Sequence, residues 1–220
     1  TPENWSEGSV PKDYHTVRIG AYVNITTPIN IHGIAVDENQ TLHITSTGGL
    51  TVGNTGVVSA ATSTITIDNT PEGAGFLKVD PSTDKKPAKV TINYTTEAFN
   101  SGNPRDEIWQ YMGAPGSDMQ MNDANNTMIY HWNEQQGWLK MSNTNLQPFV
   151  GYAFTQNKDE SADFTITATP IIPEDIQEIN LTVTPSGMGG SNLFVNSFLA
   201  PIDLATFDGT EFEGEVDETF

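Results

Sequence analysis

From His15 to Ile67 the chain repeats one short unit, two apolar residues straddling a single spacer, with Gly, Asn or Thr turns between units. The units are Val17-Arg18-Ile19, Val23-Asn24-Ile25, Ile29-Asn30-Ile31, Ile34-Ala35-Val36, Leu42-His43-Ile44, Leu50-Thr51-Val52 and Ile65-Thr66-Ile67, and Val57-Val58 falls in the last gap. A spacing of two puts both apolar side chains on one face of a strand. Strands this short do not make a free-standing sheet. Recurring at this interval, they suit the faces of a solenoid, in which each coil buries its inward pair against the coil before it. Coils of about 20 residues with three faces give two to three turns, near the minimum for such a stack, so both ends need caps. Asn4 to Pro11, with Trp5 as its one large ring, is the expected N-terminal cap. The turn-rich run Asp68 to Gly75 is the expected end of the stack, which gives a first domain over residues 1–75.

Beyond that point the strands lengthen and large rings appear. Phe76 to Val79 and Lys89 to Tyr94 alternate around a long connection, and Glu107 to Met112 carries Trp109 and Tyr111 into the turn Gly113-Ala114-Pro115-Gly116. Met128 to Trp132 and Trp138-Lys140 flank the polar, Gly-ended break Asn133 to Gly137, which predicts a hairpin. Phe149 to Phe154 follows, with Gly151 marking a bulge or a close backbone approach. Asp163 to Thr169, Gln177 to Thr184 and Asn192 to Phe198 complete the set. About eight strands with turn breaks predict a β-sandwich over residues 76–220. The fold class is therefore all-β, a short capped β-solenoid followed by a β-sandwich. The abrupt start at Thr1-Pro2-Glu3-Asn4 and the acidic end, Asp208 to Phe220, read as those of a processed or truncated piece.

Nine basic against 28 acidic residues give a net charge of −19, which makes nucleic acid or an anionic membrane surface a poor partner. After Lys158 there are 13 acids and no Lys or Arg. Such a run solvates a surface, and low-affinity Ca²⁺ binding is the sharper alternative. Cysteine is absent, so thiol chemistry is excluded and a bacterial surface protein is favoured over a disulfide-bonded eukaryotic one. No run of 18 apolar residues occurs, so no helix of this chain is expected to span a membrane. Six N-glycosylation sequons, at Asn4, Asn24, Asn39, Asn93, Asn125 and Asn180, carry little meaning in a bacterial chain rich in Asn and Thr.

Two constellations are candidates for binding. Trp109, Tyr111, Tyr130, Trp132 and Trp138 could stack on the apolar face of a pyranose. Alternation puts Trp109 with Tyr111 and Tyr130 with Trp132, and divides the set between sheet faces, leaving most of it to the core. Asn122, Asp123 and Asn125 offer oxygen ligands as a Ca²⁺ loop would, but without the Gly and distal Glu of an EF-hand, and Asn and Asp also form turns unaided. The four His, at 15, 32, 43 and 131, lack metal-ligand spacing. No nucleophile elbow, P-loop, HExxH or dinucleotide fingerprint appears. Solenoid enzymes that act on polysaccharides need clustered carboxylates or cations, and this stack offers only Arg18, Asp37, Glu38 and Asp68.

The opening NWSEGSVP and the units leading to LHITSTGGLTV resemble the start of large surface and secreted proteins of the Bacteroidota. So do IWQYMGAPGSDM, YHWNEQQGWLKM and LQPFVGYAF. NLFVNSFLAPIDL is similar to a further motif of that family but departs from it at Val195-Asn196-Ser197-Phe198. The resemblance covers most of the chain. It implies export through type IX secretion to the cell surface or medium, with adhesive or unassigned roles. The expectation is a non-enzymatic structural or adhesion module that meets glycans or host matrix proteins. The alternatives are a carbohydrate-binding module using its Trp and Tyr, or a fragment of a polysaccharide-active enzyme. No cofactor is expected beyond the optional Ca²⁺.

Overall fold

The computed structural model describes residues 5–96, 108–122, 127–142, 144–155, 162–172 and 179–206. Among them no α-helix occurs, and one 3₁₀ turn spans Leu204–Thr206. In the first half the strands are β1 (Thr16–Ile19), β2 (Val23–Ile25), β3 (Pro28–Val36), β4 (Thr41–Ile44), β5 (Gly49–Ser59), β6 (Thr64–Thr70), β7 (Gly73–Ala74), β8 (Phe76–Val79) and β9 (Val90–Thr96). All their pairings are parallel except the short β6–β7 turn pair.

The coils have three faces, as the spacing of the aliphatic pairs requires. One face stacks β2, β4, β6 and β9, bringing Ile25, Ile44, Ile67 and Ile92 into one column. A second stacks the first half of β3, the first half of β5 and β8, with Ile31, Val52 and Val79 in register. The third stacks β1 on the second halves of β3 and β5, with Val17, Ile34 and Val57 in register. β3 and β5 each turn a corner between two faces, and the extra residues at the β5 corner appear as a register shift between Ile31 and Gly33. All ten of these column residues are buried, as are Leu42, Leu50, Ile65 and Leu77. Parallel strands need long crossovers, and here the other two faces of each coil supply them.

Both ends of the stack are covered. Trp5 is partly buried against the core at the N-terminal end, where the backbone closes a turn from Gly8 N–H to the Trp5 carbonyl, 2.9 Å. At the other end the Leu77 N–H donates to the Leu199 carbonyl, 2.7 Å, which occupies the open edge of β8.

The second half adds β10 (Gln110–Met112), β11 (Ser117–Asn122), β12 (Met128–Asn133), β13 (Gly137–Lys140), β14 (Tyr152–Thr155) and β15 (Ala162–Thr169). Here every pairing is antiparallel except at β9. That strand is parallel to β6 on one edge and antiparallel to β15 on the other, so one sheet runs β11-β15-β9-β6-β4-β2. Pairing therefore runs across residue 75, because β8 and β9 extend the stack before the antiparallel strands begin. The remaining strands form a second sheet, β10-β14-β12-β13, which lies against β9 and β15. Phe154 meets Phe164 edge-on at 5.3 Å between ring centres, and Phe164 stacks on Tyr94 at 4.9 Å. The buried residues of the stack and of the second half form one contiguous hydrophobic cluster.

Two expected strands are not ladders. Residues 179–184 form no strand, and Phe194 and Phe198 make only isolated bridges, to Val150 and Ile171. The reason is visible at Asn192. Its Oδ1 accepts from the Thr182 N–H at 3.1 Å and its Nδ2 donates to the Thr182 carbonyl at 2.9 Å, so a side-chain amide stands where a partner strand would.

Candidate functional site

Alternation along a strand and register across strands together decide which rings share a face. In the second sheet Tyr111 pairs with Ala153, Ala153 with Tyr130, and Tyr130 with Lys140, while Trp132 pairs with Trp138. Directly paired residues of an antiparallel sheet project to the same side. Trp109 lies two residues before Tyr111, and its ring meets Tyr130 at 5.3 Å, edge-on. All five aromatics therefore lie on one face, and the expectation that alternation divides them between two is corrected. Alternation fixes sides only within a strand, whereas the pairing order that unites the strands was not available from spacing.

The opposite face of the same strands carries Met112, Ile129, Tyr152 and Phe154, all buried towards β9 and β15. The aromatic face is the outward one. Tyr111 is 67 % exposed, and Trp109 and Trp138 are each 38 % exposed, whereas Tyr130 and Trp132 are half-buried beneath them. Tyr111 and Trp138 come from the two edge strands, β10 and β13, and still stack at 5.8 Å with 23° between their planes. They reach each other across the centre of the sheet, where Ala153 is the small residue below. Trp138 also meets Trp132 edge-on at 5.3 Å. Ring pairs of this kind each add about 0.5–1.5 kcal/mol beyond burial, enough to hold the layer in one arrangement.

One end of the face is fixed by the β12–β13 hairpin and the segment 184–192. Asn133 Oδ1 accepts from the N–H groups of Gln135 and Gln136, which shapes the turn. Within that turn Glu134 is buried at 4 % exposure. Its carboxylate accepts from Thr184 Oγ1 at 2.6 Å and from the Gly190 N–H at 3.0 Å, and its carbonyl accepts from the Met188 N–H at 2.7 Å. The Thr184 hydroxyl, first among these donors, holds the carboxyl below the usual carboxylate range. Thus anchored, the segment places the Ser191 carbonyl 2.5 Å from Trp132 Nε1 and fixes that indole. In the sequence Glu134 is one residue of the polar hairpin break, and nothing in its spacing signals burial.

Two motif residues are explained at the same place. Gly151 is a close approach, as expected, since a Cβ there would lie 2.3 Å from Leu193 Cγ. Tyr152 Oη accepts from the Gln147 N–H at 2.7 Å, closing the turn that brings β14 into the sheet.

Compared with known proteins, the chain matches no family model, no curated protein and no solved structure.

The other constellations stand differently. Asp123 and Asn125 lie outside the described residues. Asn122 ends β11 opposite Thr165. Among the described residues no group of three or more His, Asp or Glu could hold a metal ion. His43 lies on the outward side of the stack, with Nε2 2.7 Å from Asp68 Oδ2 and Nδ1 2.8 Å from Asn24 Oδ1 and 3.0 Å from Tyr22 Oη. Asn93 Nδ2 donates to the other Asp68 oxygen, 2.9 Å, so the carboxylate is held by rungs on either side. Among the described residues no helix is long and apolar enough to cross a membrane.

Proposed function

We propose that this chain is a non-enzymatic adhesive module of an exported bacterial surface protein, and that it holds glycans on its aromatic face. One observation carries the reading, the gathering of Trp109, Tyr111, Tyr130, Trp132 and Trp138 on the outward side of the second sheet. Flat rings exposed on a rigid sheet suit the C–H face of a pyranose, and their mutual packing spares the cost of ordering them on binding. The acidic balance supports neutral over anionic glycans, because a net charge of −19 repels uronic or sulfated chains. On this reading the parallel stack is the spacer that presents the face, and the resemblance to Bacteroidota surface proteins supports export.

The test is an array of neutral and acidic glycans, with host matrix proteins as a second arm, read for the wild type and Trp138→Ala. The expected result is binding to neutral glycans that falls at least about tenfold in the variant while its circular dichroism is unchanged. A second reading, a scaffold whose rings merely pack on one another, is favoured by the Trp132 indole being held by Ser191. It predicts no binding in either arm.

A further inference from the structure

Between the stack and the second sheet lies a cleft of about 360 Å³, within the range of small-ligand sites. Three strands line it, each with an apolar residue and, two positions along on the same face, a polar one: Ile67 and Asn69 on β6, Ile92 and Tyr94 on β9, Met112 and Gln110 on β10. In a chain of net charge −19 none of the described residues lining it is charged. Two of its polar groups are orphans. Asn69 and Tyr94 are directly paired across β6 and β9, on the side of the sheet that faces inward. Tyr94 is 8 % exposed, and among the described residues its hydroxyl has no hydrogen-bond partner; neither has the Asn69 amide. A phenol buried in this way is held in its neutral, donor form. Asn69 beside it is half-buried. Buried polar groups are nearly always satisfied and an unmet one is costly, so the Tyr94 phenol calls for a partner, and the Asn69 amide next to it can share that partner.

Tyr111 lies at the rim of this cleft and is also the most exposed ring of the aromatic face. Cleft and face lie on the two sides of the edge strand β10, and Tyr111 belongs to both. We propose that the cleft is an end-binding site for one or two units of a neutral sugar chain, whose hydroxyls pair with the Tyr94 phenol and the Asn69 amide while the chain continues over Tyr111. This deepens the reading above and rests on it for the direction of the chain. The ligand class follows from three features: no lining charge excludes ionic groups, adjacent donor and acceptor groups suit vicinal hydroxyls, and the apolar side chains beside them suit the ring's C–H face.

Calorimetric titration of the purified chain with cellobiose, maltose, laminaribiose and diacetylchitobiose tests it, beside Tyr94→Phe, Asn69→Ala, Ala74→Phe and Trp138→Ala. Ala74 lines the cleft, so its replacement fills the site. At least one disaccharide should bind the wild type. Tyr94→Phe and Asn69→Ala should each weaken that binding about three- to tenfold, and Ala74→Phe should abolish it. Tyr94→Phe should also melt no lower than the wild type, because it deletes an unpartnered hydroxyl. A lower melting temperature would mean that the hydroxyl has an internal partner, and would overturn the proposal. So would undiminished binding in both Tyr94→Phe and Ala74→Phe, or no disaccharide binding at all. If Trp138→Ala binds normally while Tyr94→Phe does not, the cleft stands and the aromatic face falls. The reverse pattern removes the cleft and keeps the face.

Discussion

The stack and the second sheet use their outward positions in opposite ways. On the stack face built from β2, β4, β6 and β9 those positions hold mostly short polar residues. One outward row crosses six strands as Asn24, His43, Thr66, Thr91, Thr167 and Gln120, each in register with the next. On the second sheet the corresponding outward positions hold Tyr111, Tyr130, Trp132 and Trp138. In a parallel stack each residue sits directly over its counterpart one coil away, so bulky outward rings would crowd at strand spacing, about 4.8 Å, whereas Thr and Asn fit and can bond one another. Asn93 and Asp68, paired across β9 and β6, do so at 2.9 Å. In the antiparallel sheet the rings come from staggered rows and meet edge-on or over Ala153, so four strands can carry a continuous layer. The regular half provides length and the irregular half provides a surface.

The division can be broken first where the halves join. Phe164 is 3 % exposed and touches both Tyr94 of the stack sheet and Phe154 of the second sheet. Phe164→Ala should cost about 3–5 kcal/mol. If stack and sandwich form one cooperative unit, urea unfolding of the variant followed by tryptophan fluorescence and by circular dichroism will give one coincident transition at lower urea. Separate transitions would show that the shared core does not couple them. Within the stack, Ile44 is fully buried in the middle of the Ile25, Ile44, Ile67, Ile92 column. Ile44→Ala should cost about 2–5 kcal/mol by the same measurement. A loss well under 2 kcal/mol would mean that the coils relax around the gap, as a less tightly stacked solenoid would.

The stack was legible in the sequence because its constraint is local and repeated. Val17-Arg18-Ile19 and its successors state their own inward side, and every such pair is found in a strand with its inward residues in the core or against it. The end of the stack was less legible. Asp68 to Gly75 does form a turn, through the β6–β7 pair, but β8 and β9 return to the same faces afterwards. Nothing local distinguishes a turn within a coil from a turn that ends the stack. The aromatic layer was legible in membership but not in arrangement, since the partners of β10 and β12 meet only through β14, which lies more than ten residues beyond either. The Asn69–Tyr94 pair was missed for the same reason, because two polar residues 25 positions apart meet only after a full coil.

Acid should act on one half and spare the other. Glu134 anchors the segment that fixes Trp132, and its carboxyl is held below the ordinary value of about 4.3. A depressed folded value means that this contribution is fully present above the unfolded value and is lost as pH falls through the folded one, so the window lies below about pH 4. Hydrogen exchange of residues 184–192 should rise there while that of the Ile44 column does not. Glu134→Gln should show the faster exchange already at pH 7 and no further acid step. Gly187→Ala should mimic it at all pH values, since a Cβ there would lie 2.1 Å from Thr184 Oγ1 and 2.5 Å from Glu134 Oε1. A segment that exchanges equally in Glu134→Gln and wild type at pH 7 would remove the anchor.

The smallest effect decides what the outward rings are for. Trp138 is 38 % exposed and makes two ring pairs, with Tyr111 and with Trp132. At about 0.5–1.5 kcal/mol each, their loss in Trp138→Ala should lower stability by only about 1–2 kcal/mol. A second hydrophobic layer essential to the fold would behave like a core, and the same substitution would then cost about 3–5 kcal/mol, as at Phe164. The two outcomes separate clearly in urea. A small stability loss together with a large loss of glycan binding would mean that the rings are carried mainly for a ligand, whereas a large stability loss would make the layer a second core.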